Sequence, residues 1–189
     1  MGLFLKYKCM SRTNPFKKKR RVANRTLLVF GEGMCEEMFL KHIKGLYSYS
    51  ANIAVTVRKG KGGTAVDVVI DSDKIPGDFE KKVVVLDNDK SGDEMQQARK
   101  EAKSRGIILI ENTPCIEALL LSILESGTDF SSKTSSWCKK EFESKYIDKK
   151  KRSNPAEYNK HFPKRVLDSK RTSVKELNAI ILLMEGKSK

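Results

Sequence analysis

Four short apolar runs, each followed by a stretch with helical spacing, constrain this chain more than any other feature. They lie at residues 26–30 (Thr-Leu-Leu-Val-Phe), 52–57, 82–86 and 107–110. Parallel strands need long crossover connections, usually helices, so strands alternating with helices imply a mainly parallel sheet. The spacing predicts four such helices. The first carries Met34, Met38, Phe39, Ile43 and Leu46 on its buried face. The second is capped by Thr64 and runs through Val66, Val69 and Ile70. The third, polar and rich in lysine, covers about residues 93–104 and closes at Gly106. The fourth begins at Pro114 and buries Ile116, Leu119, Leu120 and Ile123. The run at 82–86 is as apolar as a strand covered on both faces. The expected fold class is α/β: a mainly parallel four-stranded sheet flanked by helices, with a small helical C-terminal extension.

Three regions follow from this pattern. Residues 1–24 form a basic N-terminal arm, residues 25–125 the sheet domain, and residues 126–189 a basic helical extension. The extension is expected to hold three helical pieces. One contains Trp137, Phe142 and Tyr146 as a small core of its own, a second lies near residues 156–161, and a third spans 174–184. Ser173 and Glu176 have the spacing of a capping box for the third.

Charge narrows the class of partner. Lys and Arg number 38 against 24 Asp and Glu, a net charge of +14. Such an excess suits an anionic partner, and nucleic acid, DNA or RNA, leads. No apolar run approaches the ~20 residues that cross a bilayer, and the cluster at residues 3–5 is too brief for a signal peptide. Lys6 stands where a myristoylation signal has Ser or Thr. Cys9, Cys35, Cys115 and Cys138 form no CxxC pair, and His42 and His161 are not spaced to complete a zinc site with them. Reduced thiols in a cytoplasmic protein are the expectation.

In parallel sheets, ligands gather at the carboxyl ends of the strands. Those ends hold Glu32, Lys59, Asp87 and Asn112. Asp87 and Asp89 alternate along an extended segment and so project to one side. With Glu32 they offer three hard oxygen donors, a set that suits Mg²⁺ facing a phosphodiester. Asp93 is either a further ligand or a helix cap. Spacing alone leaves two alternatives open for the rest. A Glu in a first helical turn is stabilised by the helix dipole, and Asp-Asn-Asp also makes a polar turn. Lys59 and Lys61 lie in a basic glycine loop, residues 59–63, which either approaches phosphates or is a flexible turn; it lacks the Walker pattern. The arm carries Lys17, Lys18, Lys19, Arg20 and Arg21, a run that either contacts phosphates or solubilises the chain.

The order of Gly31-Glu32-Gly33, Glu36 and Asp87-Asn88-Asp89 resembles a Toprim domain, the metal-binding catalytic module of topoisomerases, primases, OLD-type nucleases and ribosomal RNA maturases. More narrowly, Glu32-Gly33, Cys35-Glu36, Asp87-Asn88-Asp89 and the string Asn112-Thr113-Pro114-Cys115-Ile116-Glu117 make residues 25–125 resemble RloB-like proteins. Three positions depart from that pattern. Cys35 replaces a usual Thr, Thr113 is inserted before Pro114, and Ile116 and Ala118 stand where an aromatic is usual near Glu117.

The resemblance implies that Glu32 acts as general acid or base or as a ligand, that Asp87 and Asp89 hold Mg²⁺ or Mn²⁺, and that Glu36, Asn112 and Glu117 support them. It also implies a metal-dependent nuclease, of the kind found in restriction and antiphage loci, with another protein subunit that inhibits or activates it. A non-catalytic nucleic-acid-binding subunit is the alternative. A phosphohydrolase with Asp87 as nucleophile ranks third, because Lys90-Ser91-Gly92 follows where a Thr would be needed.

Overall fold

The computed structural model describes residues 25–125 and 128–187. The basic run from Lys17 to Arg21 lies outside the described residues.

Each apolar run is a strand followed by a helix. In chain order these are β1 (Arg25–Gly31), α1 (Met34–Tyr47), β2 (Ile53–Lys59), α2 (Ala65–Asp73), β3 (Lys81–Asp87), α3 (Gly92–Ser104), β4 (Ile108–Asn112) and α4 (Ile116–Leu124). The strands form one sheet in the order β2-β1-β3-β4, and every pairing is parallel. The protein is therefore α/β with helices on both faces of a four-stranded parallel sheet.

The alternation of side chains along β3 shows why both faces are covered. Val83 and Val85 belong to a large core beneath α1 and α4, while Val84 and Leu86 join a smaller one beneath α2 and α3. Burying each such side chain stabilises the fold by roughly 1.5–3 kcal/mol. The outer strands β2 and β4 carry exposed positions that β1 and β3 lack at their centres.

The helix faces differ from the sequence pattern in places. Along α1 the buried residues are Cys35, Glu36, Phe39, Leu40, Ile43 and Tyr47; Met34 is exposed, and Met38 and Leu46 are only partly covered. A carboxylate, Glu36, sits within this face. Along α2, Val69 is buried as expected, but Ala65, Val68 and Ser72 fill the rest of the face and Val66 and Ile70 are half-buried. Pro114 lies ahead of α4, before its N-cap Cys115, rather than in its first turn. Gly106 closes α3 with φ +66°, as the stop signal indicates.

The extension folds as α5 (Ser135–Lys145), a 3-10 turn at Lys149–Lys151, α6 (Pro155–His161), α7 (Lys164–Lys170) and α8 (Lys175–Met184). It adds α7 to the expected pieces, a helix whose single fully buried residue is Leu167. Its apolar residues do not make a separate core. Phe142, Tyr158, Phe162, Leu167 and Ile180 join the cluster beneath α1 and α4. Trp137 is 39 % exposed and stacks on Phe130 instead. The capping box of α8 does not form: Ser173 Oγ turns back to the Lys170 carbonyl, and Val174 is the N-cap. His42 is satisfied within the fold by the Phe162 carbonyl, 2.7 Å away. Among the described residues no helix is long and apolar enough to cross a membrane.

Candidate functional site

β1 and β3 are neighbours, yet α1 leaves β1 toward one face and α3 leaves β3 toward the other. Their carboxyl ends therefore border a crevice at the point where the strand order reverses, the usual place for a ligand in such sheets. Glu32 follows β1 there, and Asp87 and Asp89 follow β3.

Glycine lets α1 begin close against its strand. A Cβ on Gly31 would stand 2.6 Å from Glu36 Cβ, so only glycine admits the first turn of α1 at this distance. Glu36 is drawn into the crevice, where its Oε2 accepts the Gly33 N–H at 3.0 Å. At the end of β3, Asn88 donates its N–H to the Asn112 carbonyl and its side-chain amide to Thr113, tying β3 to β4. Asp87 is thereby fixed beside Asn112, its partner in register. Asp87 Oδ1 accepts the Ile116 N–H at 2.8 Å, supplying the cap that Cys115 does not give α4. Glu117 arrives in the first turn of α4.

Five carboxylates thus meet at one sheet edge, and three of them are buried: Glu36 is 5 % exposed, Asp87 6 % and Glu117 2 %. Two lysines face them. Lys90 Nζ lies 3.6 Å from Glu32 and 3.5 Å from Asp89, and Lys139 Nζ, from α5, lies 3.8 Å from Asp87 and 3.9 Å from Asp89. Glu32, Asp87 and Asp89 are brought together through these ammonium groups.

The charges are out of balance. Burial, then the Glu36 and Glu117 charges, push the Asp87 carboxyl up to about 8, against the Ile116 N–H and Lys139. Burial pushes Glu36 up to about 7, with Glu117 and Glu32 adding to it and backbone N–H groups opposing. For Lys139 and Lys90 burial acts downward, but the facing carboxylates outweigh it and hold both ammonium groups above the usual lysine range. Oε2 of Glu32, Oε2 of Glu117 and both side-chain polar atoms of Asn112 are buried without a hydrogen-bond partner. An unsatisfied buried polar atom costs roughly 1–3 kcal/mol, more if charged.

An oxygen-only donor set with orphaned carboxylate oxygens is chemically suited to a hard divalent cation. Among the described residues, no three His, Cys, Asp or Glu side chains are arranged as a ready metal-binding group; lysine ammonium groups stand between the carboxylates instead.

The remaining expected residues divide. Asp93 is exposed in the first turn of α3, where Ser91 is the cap, and no hydrogen bond or ion pair ties it to the carboxylates. Lys59 pairs in register with Gly31, and Gly60 donates its N–H to the Gly31 carbonyl, so the basic loop starts beside Glu32 with Lys59 and Lys61 exposed. Glu37, next along α1, pairs with Lys41. Burial pushes the Cys35 and Cys115 thiols up, which keeps them protonated.

Lys90 and Lys139 are the site residues that the sequence reading missed. Lys90 directly follows Asp89, and a lysine beside an acidic pair was a usable signal. Lys139 lies fifty-two residues from Asp87, and no spacing announces it. The chain matches no protein-family profile, no curated protein and no solved structure.

Proposed function

We propose that the protein is a divalent-cation-dependent, Toprim-type nuclease of the RloB-like kind, cleaving phosphodiester bonds in DNA or RNA. The observation that carries this reading is the set of five carboxylates at the β1–β3 crevice, three of them buried, faced among the described residues by two lysines. A binding module does not need buried, mutually repelling carboxylates. A phosphodiester enzyme does.

Charge distribution supports a polyanionic substrate. Residues 25–125 hold 14 Lys and Arg against 16 Asp and Glu; residues 128–187 hold 15 against 8, and residues 1–24 hold 8 against none. The acidic edge belongs to a slightly negative domain, and the attraction for nucleic acid belongs to the extension and the arm.

Asp87, Asp89 and Glu32 would hold Mg²⁺ or Mn²⁺, with Glu36 and Glu117 behind them. When bound, the cation would polarise the scissile phosphate and lower the pKa of an attacking water. Glu32, whose buried Oε2 has no hydrogen-bond partner, would be the base that takes the proton from that water. Lys90 and Lys139 stay charged and would meet the negative charge that grows on the phosphate oxygens. Reduced thiols remain our reason for placing the protein in the cytoplasm: Cys35, Cys115 and Cys138 are free and buried.

The test is incubation of the protein with Mg²⁺ or Mn²⁺ and a panel of DNAs and RNAs. Wild type should cleave one class. Glu32→Ala should be slower by about 10²–10⁴-fold, the usual worth of a general base, and Asp87→Ala should be inactive.

One observation favours a second reading. Lys90 and Lys139 already bridge the carboxylates, as in a purely structural ion-pair cluster within a nucleic-acid-binding subunit. Salt-sensitive binding without cleavage, unchanged in both variants, would select it.

A further inference from the structure

Beside the carboxylate edge a second feature has no role in that mechanism. A cleft of about 130 Å³ opens between the end of β4, α4 and the start of α8, lined among others by Asn112, Thr113, Leu119, Ser122 and Glu176. It continues into a wider groove of about 450 Å³ that shares Ser122, Asp129, Val174 and Glu176 and adds Thr128, Ser173 and Lys175. The lining is rich in hydroxyls.

Asn112 stands in the cleft wall, only 1 % exposed, with neither its amide nitrogen nor its amide oxygen hydrogen-bonded. Its neighbours do not need it. The Asn112 carbonyl holds Asn88 through the backbone, and the Ile116 N–H that caps α4 goes to Asp87. A buried carboxamide with a free donor and a free acceptor matches a nucleobase edge that presents one of each, the pattern by which Asn recognises adenine. The carboxylates of Glu176 and of Asp129, the latter already accepting from Ser131, disfavour a phosphate in the groove itself. They suit sugar hydroxyls, as acidic residues do at ribose sites.

We propose that this cleft receives an unpaired nucleotide of the substrate strand, with the Asn112 carboxamide on the base edge and the groove toward α8 around the sugar. Asn112 and Asp87 are register partners, so a strand whose phosphate lies at Asp87 has its neighbouring base within reach of the cleft. The inference rests on the nucleic-acid reading of the site and specifies it: the substrate is single-stranded, or is unpaired at the cut.

The experiment compares binding, in EDTA, of fluorescent single-stranded hexanucleotides that carry a base at every position with the same strands made abasic. DNA and RNA versions and free AMP form separate arms. Wild type should prefer the base-bearing strand by tenfold or more. Ser122→Phe, which fills the cleft from α4, should reduce that preference to less than twofold while leaving the abasic strand bound as before, and Asn112→Ser should reduce the preference likewise. A preference for RNA places a ribose in the groove, and binding of AMP alone shows that the cleft takes a free nucleotide. Equal binding of base-bearing and abasic strands by the wild type overturns the inference, whatever the variants do. Cation-dependent cleavage is scored separately. If cleavage persists without base dependence, only the cleft assignment falls, and if no strand binds at all, the nucleic-acid reading falls with it.

Discussion

Asp87 shows what a single residue does here. It caps α4, faces Lys139 and sits among like charges, and its carboxyl is held far above the ordinary Asp value. Glu36 behaves alike. Unfolded, such groups release their protons near 3.9 and 4.3; folded, they hold them to about 8 and about 7. The fold therefore binds more protons than the unfolded chain across that window. The stability these groups contribute is fully present below the lower values and is lost as pH rises through the upper ones. Thermal melts in EDTA should show the midpoint falling between pH 5 and pH 8, and Asp87→Asn should flatten the fall and melt higher than wild type at pH 8. An unchanged slope would mean that Asp87 is ionised throughout. The neighbouring lysine is a second case. Lys139→Ala removes the ammonium that competes for Asp87 and Asp89, so Mn²⁺ should bind at least as tightly by calorimetry while strand cleavage slows. A parallel loss of both would make Lys139 a structural support.

At the scale of elements, the close docking of α1 on β1 decides whether the crevice exists. Gly31→Ala puts a methyl group against Glu36 Cβ and close to the Glu37 nitrogen. Overpacking of this kind costs about 1–3 kcal/mol. The midpoint of a urea melt should drop accordingly, and cation binding should weaken because the first turn of α1 carries Glu36 away. The strands were legible because apolar runs of four or five residues between turn residues have few other uses. The placement of Glu32 and Asp87 at strand ends followed from the same pattern. The buried face of α1 was legible only in part: Phe39 and Ile43 are inside as the spacing indicates, but hydropathy assigns Met34 inside and Glu36 outside, and the structure has both reversed. The start of α8 was misread because Ser173 had a nearer acceptor, the Lys170 carbonyl. Helix α7 passed unnoticed because one buried leucine leaves no period to detect.

Over the whole molecule the two kinds of charge are separated along the chain but joined in space. Lys139, from the basic extension, reaches Asp87 and Asp89 of the acidic edge. Neutralising Lys149, Lys150 and Lys151 together should weaken nucleic-acid binding evenly across sequences. The slope of log K against log salt should fall by up to ~0.9 for each phosphate no longer neutralised on duplex DNA, and by ~0.7 on single strands. An unchanged slope would direct attention to the arm at residues 1–24. The same imbalance sets which part of the chain would attract a polyanion. Long-range attraction would come from residues 128–187, with 15 Lys and Arg against 8 Asp and Glu, and not from residues 25–125, with 14 against 16. On the proposed reading Lys139 is where the two meet: the basic extension sets an ammonium group directly on carboxylates that would otherwise repel phosphate.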